Sequence, residues 1–368
     1  MEHRPLDLTI GFPRETGPER RTICTPALAA DLAGAGFGLI AEPGIGAGVG
    51  ITDDAYTAAG VRLVGADRVW SAPLVLRYKS PDPADLARLS PGQHIGALFH
   101  AEGDAGLLAA LQSRKVTAWS YEFMAEGGRF PLGKAGGQIA GIQAVLASAQ
   151  ALQHPAGRGV LLGGVDGAEA ARVVVIGSGN VGAAAARTAA ALGAQVVVLA
   201  RCEASRADYE RRAPAGVRVL VNCRDVLLEQ LKDADLLVGA VLVSTYDTSP
   251  MITEADLGVM RPGAVIVDAT CGYGPGYLPT AGPVQQPGDE PRLVRGILHI
   301  KVDTWPALVP ATATAAYTSN AAPYLMRLAR VVLLGKEDPV VQAAQISRAG
   351  QLTHPVLLQH ARFYGMQP

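Results

Sequence analysis

The chain has 368 residues, of which 49% are hydrophobic and 18% are charged, and its formal net charge is −1. A near-neutral chain without a basic block offers no field to steer nucleic acid, and no run approaches the roughly 18 apolar residues of a membrane span. The amino terminus lacks the apolar core of a secretory signal, so we expect a cytoplasmic protein without nucleic-acid or membrane partners. The length exceeds one ordinary core and predicts two domains.

The four cysteines follow no metal-binding or disulfide pattern. Cys24, Cys202, Cys223 and Cys271 are scattered, without a CxxC pair or a matching pair of histidines. Zinc sites and disulfide frameworks both need ordered spacing. We therefore predict reduced thiols and no metal.

The amino-terminal part alternates short apolar strands with helices. The pattern predicts a strand at 8–12 and a helix at 26–36, and it continues in the same rhythm until a Gly-rich stretch at 124–137. Alternation of this kind is typical of a parallel sheet covered by helices. The Gly-rich stretch marks a domain boundary or a hinge.

After that stretch the alternation resumes around a second set of strands. A long helix of small residues comes first, and further strands are predicted at 194–200, 216–221, 235–243 and 263–268. We predict an α/β protein with two Rossmann-like, doubly wound domains and a cleft between them. The substrate domain would comprise 1–137 and 311–368, and the dinucleotide-binding domain 138–310.

Residues 173–182 read VVVIGSGNVG and resemble a dinucleotide-binding turn. In the G-x-G-x-x-G pattern the first glycine permits a tight turn, the second lets the backbone approach a pyrophosphate, and the third lets helix and strand pack closely. Cofactor contacts are therefore predicted at Gly177, Ser178, Gly179, Asn180, Val181 and Gly182. The alternative is a glycine turn that binds nothing, but the strand at 194–200 completes a βαβ unit and disfavours it.

The end of that second strand bears on the choice of nicotinamide cofactor. An NAD site usually places a carboxylate there to accept hydrogen bonds from the ribose 2′-OH. This chain has Ala200 followed by Arg201, with Ser205 and Arg206 nearby. These residues could pair with a 2′-phosphate, so NADP(H) is favoured over NAD(H). In the alternative, both arginines are solvated and Glu203 holds an NAD ribose.

Several motifs, in order along the chain, resemble the alanine dehydrogenase and transhydrogenase α-subunit family. They are IGFPRET…ERRTICTP, LVLRYKSP, GQHIGALFH, GRGVLLGGV, VVVIGSGNVG, LLVGAVLV and PGAVIVD. The resemblance implies an NAD(P)-dependent oxidoreductase that transfers hydride between nicotinamide and C2 of a pyruvate-like 2-oxo acid or its imine. Its partners would be the oxo acid and an amine, and it would form a homo-oligomer, either a hexamer or a dimer.

The resemblance also implies roles for individual residues. Arg21 and Lys79 stand where the family binds the substrate carboxylate and carbonyl. His100 stands where the family polarises or protonates the carbonyl or imine, and Asp268 where it assists proton transfer. Further cofactor contacts are implied at Ala240, Val241, Leu242, Val243 and Thr304. The reaction needs such groups in any case, because a carboxylate calls for a bidentate cation and reduction calls for a proton donor.

Each of these four residues also has an ordinary structural interpretation. Lys79 could be a solvated residue at a strand end, His100 a buried core histidine, and Asp268 a helix or turn cap. Arg21 could belong to an exposed pair with Arg20. Their shared position at the carboxyl ends of predicted strands favours function, because open α/β sheets bind ligands there.

The active-site loops depart from the family pattern. The run after Asp268 lacks the family's V-D-Q-G-G, Thr304 replaces an Asn beside the nicotinamide, and Ala311 replaces an Arg. An altered substrate or cofactor is therefore expected. Open alternatives are an opine-type N-(carboxyalkyl)amino acid synthase, a soluble transhydrogenase α-type NAD-binding subunit, and a nucleotide-binding sensor without turnover. Retention of Lys79 and His100 argues against the transhydrogenase subunit.

Overall fold

The computed structural model of this protein consists of two compact units. It describes residues 7–241, 249–270 and 276–367. One unit comprises Met1–Ala135 with Val309–Pro368, and the other comprises Gly136–Leu308. The sequence analysis placed the boundaries at 137/138 and 310/311. The assignment of substrate and dinucleotide roles to these units stays a prediction.

Strands and helices alternate along most of the described chain, which confirms the α/β class. The strands are β1 (Thr9–Phe12), β2 (Gly38–Ala41), β3 (Val61–Leu63), β4 (Leu74–Lys79), β5 (His94–Leu98), β6 (Thr117–Ser120), β7 (Arg172–Ile176), β8 (Gln195–Ala200), β9 (Arg218–Val221), β10 (Leu236–Gly239), β11 (Val265–Asp268), β12 (Arg292–Val294), β13 (Ile297–Ile300), β14 (Gln345–Arg348) and β15 (Gln351–Leu352). The α-helices are α1 (Pro26–Gly34), α2 (Asp53–Ala58), α3 (Ala66–Trp70), α4 (Pro83–Ala87), α5 (Ala105–Arg114), α6 (Gly133–Ala151), α7 (Asn180–Ala191), α8 (Glu203–Glu210), α9 (Arg224–Asp233), α10 (Pro310–Leu334), α11 (Pro339–Ala343) and α12 (Pro355–Phe363). In the part of the chain the structure describes, no helix is both long and apolar enough to cross a bilayer.

The sheet of the first unit has the strand order β15-β14-β6-β5-β4-β1-β2-β3. Strands β1 to β6 run parallel to their neighbours among themselves, whereas β14 pairs antiparallel with both β6 and β15. The first six strands therefore follow the doubly wound order, and the winding direction reverses between β1 and β4. The loops after β1, β4 and β5 consequently meet at one edge of this sheet.

The sheet of the second unit repeats this order as β12-β13-β11-β10-β7-β8-β9. All its pairs are parallel except β12 with β13. The winding reverses between β7 and β10, which is where such sheets bind dinucleotides. The central strands are apolar on both faces because helices cover both sides of the sheet. Both sheets thus confirm the predicted Rossmann-like fold class.

The division between the two units, at Ala135/Gly136, lies within the Gly-rich stretch at 124–137, which was predicted as a domain boundary or a hinge. The long helix α6 begins inside that stretch, at Gly133, and packs closely within the second unit. A Cβ at Gly137 would lie 3.1 Å from that of Asn180, and a Cβ at Gly141 would overlap the carbonyl of Val181. Glycines here let α6 approach the start of α7, and this tertiary contact outweighs their low helix propensity.

Arg77 is the charged exception inside the otherwise apolar strand β4. Its buried guanidinium pairs with Glu15 at 3.1 Å and also with Asp85. Glu15 accepts further hydrogen bonds from the backbone N–H groups of Tyr78 at 2.7 Å and Lys79 at 3.3 Å. Burial raises the pKa of the Glu15 carboxyl, although the Arg77 charge and these donors oppose the shift. The cluster ties the loop after β1 to the carboxyl end of β4.

We expect Arg77→Met to lower the free energy of unfolding by about 3–5 kcal/mol, because Glu15 and Asp85 would then lie buried without their cation. Urea denaturation measures the change. The control is Arg88→Met, since Arg88 pairs at 2.9 Å with a fully exposed Asp67 and should change stability by at most about 1 kcal/mol. Equal losses of unfolding free energy in the two variants would contradict the role of Arg77 as the cation that Glu15 and Asp85 need in the interior.

Candidate active site

Arg21 lies on the loop after β1 and is buried, with 4% of its side chain exposed. Its backbone N–H, Nε and Nη2 donate to the carboxylate of Glu19 at 2.9, 2.7 and 2.5 Å. The guanidinium lies over the ring of Tyr78, 4.4 Å from its centroid. Arg21 is therefore not an exposed partner of Arg20, and these contacts fix its guanidinium in one orientation.

Lys79 ends β4 close to the same group of charges. Burial would raise the pKa of Glu19, but its hydrogen bonds with Arg21 and the charges of Arg21 and Lys79 hold that pKa below its ordinary value. Burial raises the pKa of Tyr78 to about 12, so this phenol stays neutral. The charges of Arg21 and Lys79 thus act on one carboxylate, that of Glu19.

Helix α10, in the carboxyl-terminal part of the same unit, packs against the residues around Arg21 and Tyr78. The hydroxyl of Thr314 accepts a hydrogen bond from the Thr22 N–H at 3.2 Å, next to Arg21. The ring of Tyr317 packs against that of Tyr78 with centroids 4.8 Å apart. The loop that carries Arg21 is therefore held by side chains distant in sequence.

His100 follows β5 and has a left-handed backbone conformation, with φ at +47°. A non-glycine residue seldom adopts this region, and Glu122 supports it here. The carboxylate of Glu122 accepts the N–H groups of His100 at 2.7 Å and Phe99 at 3.2 Å, and it also accepts the Ser120 hydroxyl. The side chain of His100 is 49% exposed, so it is not a buried core histidine.

Glu122 also lies beside the imidazole of His100. Its Oε1 is 3.4 Å from Nδ1. A carboxylate at this nitrogen favours the tautomer that carries its proton on Nδ1, which leaves Nε2 as the nitrogen that exchanges a proton with a ligand. The arrangement is suited to general acid–base chemistry.

The glycine turn between β7 and α7 has the close contacts that the dinucleotide pattern requires. Gly177 has φ at +105°, and a Cβ there would lie 2.6 Å from the carbonyl oxygen of Ala240. A Cβ on Gly182 would overlap the carbonyl of Gly177, whereas one on Gly179 would project into open space. This open space beside the amino end of α7 fits a pyrophosphate. The remaining predicted contacts of this turn are Ser178, Asn180 and Val181.

The loop after β10 lies beside this turn. The N–H of Ala240 donates to the Ile176 carbonyl at 2.8 Å, and that of Val241 donates to the Tyr277 hydroxyl at 3.2 Å. Two further predicted cofactor contacts, Leu242 and Val243, lie outside the described residues. Ala240 and Val241 are therefore the part of this loop that the structure places next to the glycines.

Arg201 and Ser205 follow the end of β8. Ala200 is buried as the last residue of the strand, and Arg201 is exposed. The Sγ of Cys202 lies 3.3 Å from the Ser205 hydroxyl, and hydrogen bonds from Ser205 and, to a lesser extent, Arg201 lower the pKa of this thiol. Ser205 thus lies beside Cys202, and Arg201 directly precedes Cys202 in sequence.

Arg206, the second arginine of the predicted phosphate site, is occupied by acids of its own helix. It pairs with Glu203 and Glu210, each at 2.6 Å. The same pairing engages Glu203, the carboxylate that could otherwise hold an NAD ribose. The structure therefore gives no separate support to a cofactor role for Arg206.

Asp268 ends β11 and is buried next to Lys301. Its Oδ1 accepts the N–H and the hydroxyl of Thr270 at 3.1 and 3.0 Å, and its Oδ2 lies 3.6 Å from Lys301 Nζ. Asp268 therefore caps the turn after β11, as its ordinary interpretation predicts, and also faces a cation. Thr304 follows β13 with φ at +53°, a strained conformation for a β-branched residue. Its contact with nicotinamide stays a prediction.

The sequence analysis did not identify Glu19, Glu122 or Lys301. A signal existed for Lys301, because it is the only charged residue in the apolar run ILHIKV. No pattern marked the two glutamates, whose function as partners of Arg21 and His100 arises from the fold. In the described ranges no group of three or more His, Cys, Asp or Glu side chains could hold a metal ion.

Comparison with family models matches both parts of the chain. The model for the alanine dehydrogenase/PNT N-terminal domain matches residues 11–132, and the model for the C-terminal domain matches residues 144–355. Together they span well over half of the chain.

Individual relatives agree with the family models. Alanine dehydrogenase of Halomonas elongata is 35% identical over 327 residues, which cover 88% of each chain. That of Bacillus subtilis is 31% identical over 326 residues, or 88% of this chain and 86% of the relative. A solved L-alanine dehydrogenase is 31% identical with a TM-score of 0.87, covering 96% of this chain and 99% of that one. A Sinorhizobium meliloti transhydrogenase, 21% identical over 94% of this chain and 100% of its own, shares the fold with a TM-score of 0.77.

We expect Gly182→Ala to destabilise the second unit by about 2 kcal/mol or more, because the new Cβ overlaps the Gly177 carbonyl, and to abolish nucleotide binding. The matched variant Gly179→Ala places its Cβ in open space, so stability should change by at most about 0.5 kcal/mol while nucleotide affinity falls at least about tenfold. Thermal unfolding and the fluorescence of bound reduced nicotinamide measure the two effects. A stable, nucleotide-binding Gly182→Ala variant would contradict the packing argument.

Proposed function

This chain belongs to the alanine dehydrogenase/PNT family, and from that membership we propose that it is an NAD(P)H-dependent amino-acid dehydrogenase or imine reductase. Its alanine dehydrogenase relatives support an oxidoreductase that acts on amino donors. The proposed substrate is a small 2-oxo acid such as pyruvate, or the imine it forms with an amine. The observation that carries the proposal is the grouping of Arg21, Lys79 and His100 after β1, β4 and β5, where the first sheet reverses its winding.

In this proposal the substrate carboxylate binds the cations of the first unit. Glu19 and Tyr78 hold the Arg21 guanidinium in one orientation, so its planar fork is ready for a bidentate carboxylate contact. Lys79 adds a point charge that can hold the carbonyl oxygen. A substrate held by two cations keeps C2 in one place for reduction.

His100 would supply or accept the proton at the carbonyl oxygen or imine nitrogen. Glu122 holds its backbone and lies beside Nδ1, so Nε2 is the exchanging atom. Reduced nicotinamide, when bound, supplies the hydride that C2 receives. Asp268 would accept an N–H of the amine or the proton of a water molecule.

We further propose that the cofactor is NADP(H). The support is local: β8 ends in Ala200 without a carboxylate, the exposed Arg201 follows it, and the Ser205 hydroxyl lies beside Cys202. A 2′-phosphate bound by Arg201 and Ser205 would meet a cation and a hydroxyl. The charge of Glu203, the first acid after β8, is already paired with Arg206.

The proposed activity is tested by mixing the protein with NADPH or NADH, pyruvate or glyoxylate, and a panel of amines, and following the absorbance of reduced nicotinamide. Oxidation with ammonia supports an amino-acid dehydrogenase, and oxidation only with amino-acid amines supports the opine-type synthase. Failure to oxidise either cofactor with any amine would overturn the proposal in favour of a nucleotide-binding subunit or sensor.

We expect His100→Ala to lower kcat by about 10²–10⁴-fold, because the proton donor is lost, while nucleotide affinity stays at the wild-type value. Steady-state kinetics and nucleotide titration check the two parts. Glu122→Gln is the companion variant. We expect a smaller loss of kcat, because the amide oxygen still accepts a hydrogen bond although the carboxylate charge is gone. An active His100→Ala enzyme would show that another group moves the proton.

We expect Arg201→Asp to raise the KM for NADPH at least about tenfold and to affect NADH much less, because the new carboxylate repels a 2′-phosphate. The control is Arg62→Asp on β3 of the other unit, where an exposed arginine is replaced and both KM values should stay unchanged. Equal effects of Arg201→Asp on the two cofactors would defeat the 2′-phosphate assignment.

A further inference from the structure

The ammonium of Lys301 lies buried beside the carboxylate of Asp268 in the second unit. Both side chains are 4% exposed, and Nζ lies 3.6 Å from Oδ2. Strands β11 and β13 pair in parallel up to Val267 and Ile300, so Asp268 and Lys301 are the next residues on neighbouring strands. The pair therefore lies at the carboxyl ends of these strands, the edge at which open α/β sheets bind ligands.

We propose that Lys301 is a positioning residue for Asp268: its ammonium pairs with the carboxylate at the carboxyl end of β11, and the carboxylate accepts an N–H of the substrate. This role of Asp268 rests on the proposed function, whereas the charge pair does not depend on it. An ionised carboxylate stabilises the positive charge of an iminium or ammonium nitrogen. His100 then remains the proton donor.

A buried charge is costly because a carboxylate removed from water loses its hydration. The cation at 3.6 Å and the two hydrogen bonds from Thr270 to Oδ1 both offset that cost for Asp268. Lys301 is held in turn by its backbone, because its N–H donates to the Gln285 side chain at 2.7 Å and its carbonyl accepts the Gln285 N–H at 2.7 Å.

Two titratable groups on the strands beside the pair have contacts of their own. His299, two residues earlier on β13, contacts the Thr280 hydroxyl and the Ile297 carbonyl at 3.1 Å, and burial lowers its pKa, so it stays neutral. Arg292, opposite His299 on β12, donates to backbone carbonyls that precede that strand.

Tyr277 is a further titratable group near the pair. The Tyr277 hydroxyl lies 3.5 Å from that of Thr270, and it accepts the Val241 N–H of the predicted cofactor loop. Asp303 lies two residues beyond Lys301 in sequence. In the described part of the chain, the ion pair recorded for Lys301 is the one with Asp268.

The first test compares kcat and KM in Lys301→Met, Lys301→Arg and the wild type. Lys301→Met leaves the Asp268 carboxylate without its cation, so kcat should fall at least about tenfold while the KM for the reduced cofactor stays at its wild-type value. Lys301→Arg keeps the charge and should restore kcat towards its wild-type value. An unchanged kcat in Lys301→Met would overturn the positioning role. Lys301→Gln replaces Lys301→Met if that variant does not fold.

The second test needs no turnover and therefore separates failure of this inference from failure of the proposed function. Urea midpoints are measured for Lys301→Met, Asp268→Asn and the double variant. Each single variant leaves one buried charge unpaired and should lower the midpoint, and the double variant should recover part of the loss. If the decrease of the midpoint in the double variant equals the sum of the decreases in the two single variants, the two charges do not interact and the pairing is overturned.

Discussion

The reversal of winding in each parallel sheet is the constraint on which the rest of the structure depends. Parallel strands need crossover helices, and where the crossovers change direction the helices diverge and leave the carboxyl ends of two strands uncovered. In the first unit this point lies between β1 and β4, and in the second between β7 and β10. Arg21 and Lys79 lie at the carboxyl ends of two of these strands, and His100 and Asp268 lie at the ends of immediate neighbours. Lys301 follows β13, one strand further out.

Buried carboxylates organise the groups that this topology collects. Glu15 secures the end of β4, Glu19 orients Arg21, and Glu122 supports the strained backbone of His100. Each acid accepts several hydrogen bonds, which is how a buried charge is tolerated. The cations and the imidazole therefore have fixed positions before any ligand binds, and this preorganisation lowers the cost of ordering them at the moment of reaction.

The sequence predicted much of the fold because the dominant signals are local. Apolar runs of four to six residues, separated by helices, indicate a parallel sheet without knowledge of tertiary contacts. Local signals did not show that α6 begins at Gly133, inside the Gly-rich stretch at 124–137. Contacts of Gly137 and Gly141 with α7 stabilise that helix, and they depend on a neighbour that is distant in sequence.

By itself, the amino-acid sequence determined the class of fold, the glycine turn and the family, since each depends on residue types at short, fixed spacing. The tertiary structure alone decided which charges meet. It brought Glu19 to Arg21 and Lys79, placed Glu122 beside His100, and buried Lys301 against Asp268. It also paired Arg206 with Glu203 and Glu210. The physical reason is that electrostatic partners are selected by distance and burial. The order of residues in the sequence does not give these quantities, because they arise only when the strands are aligned in the fold.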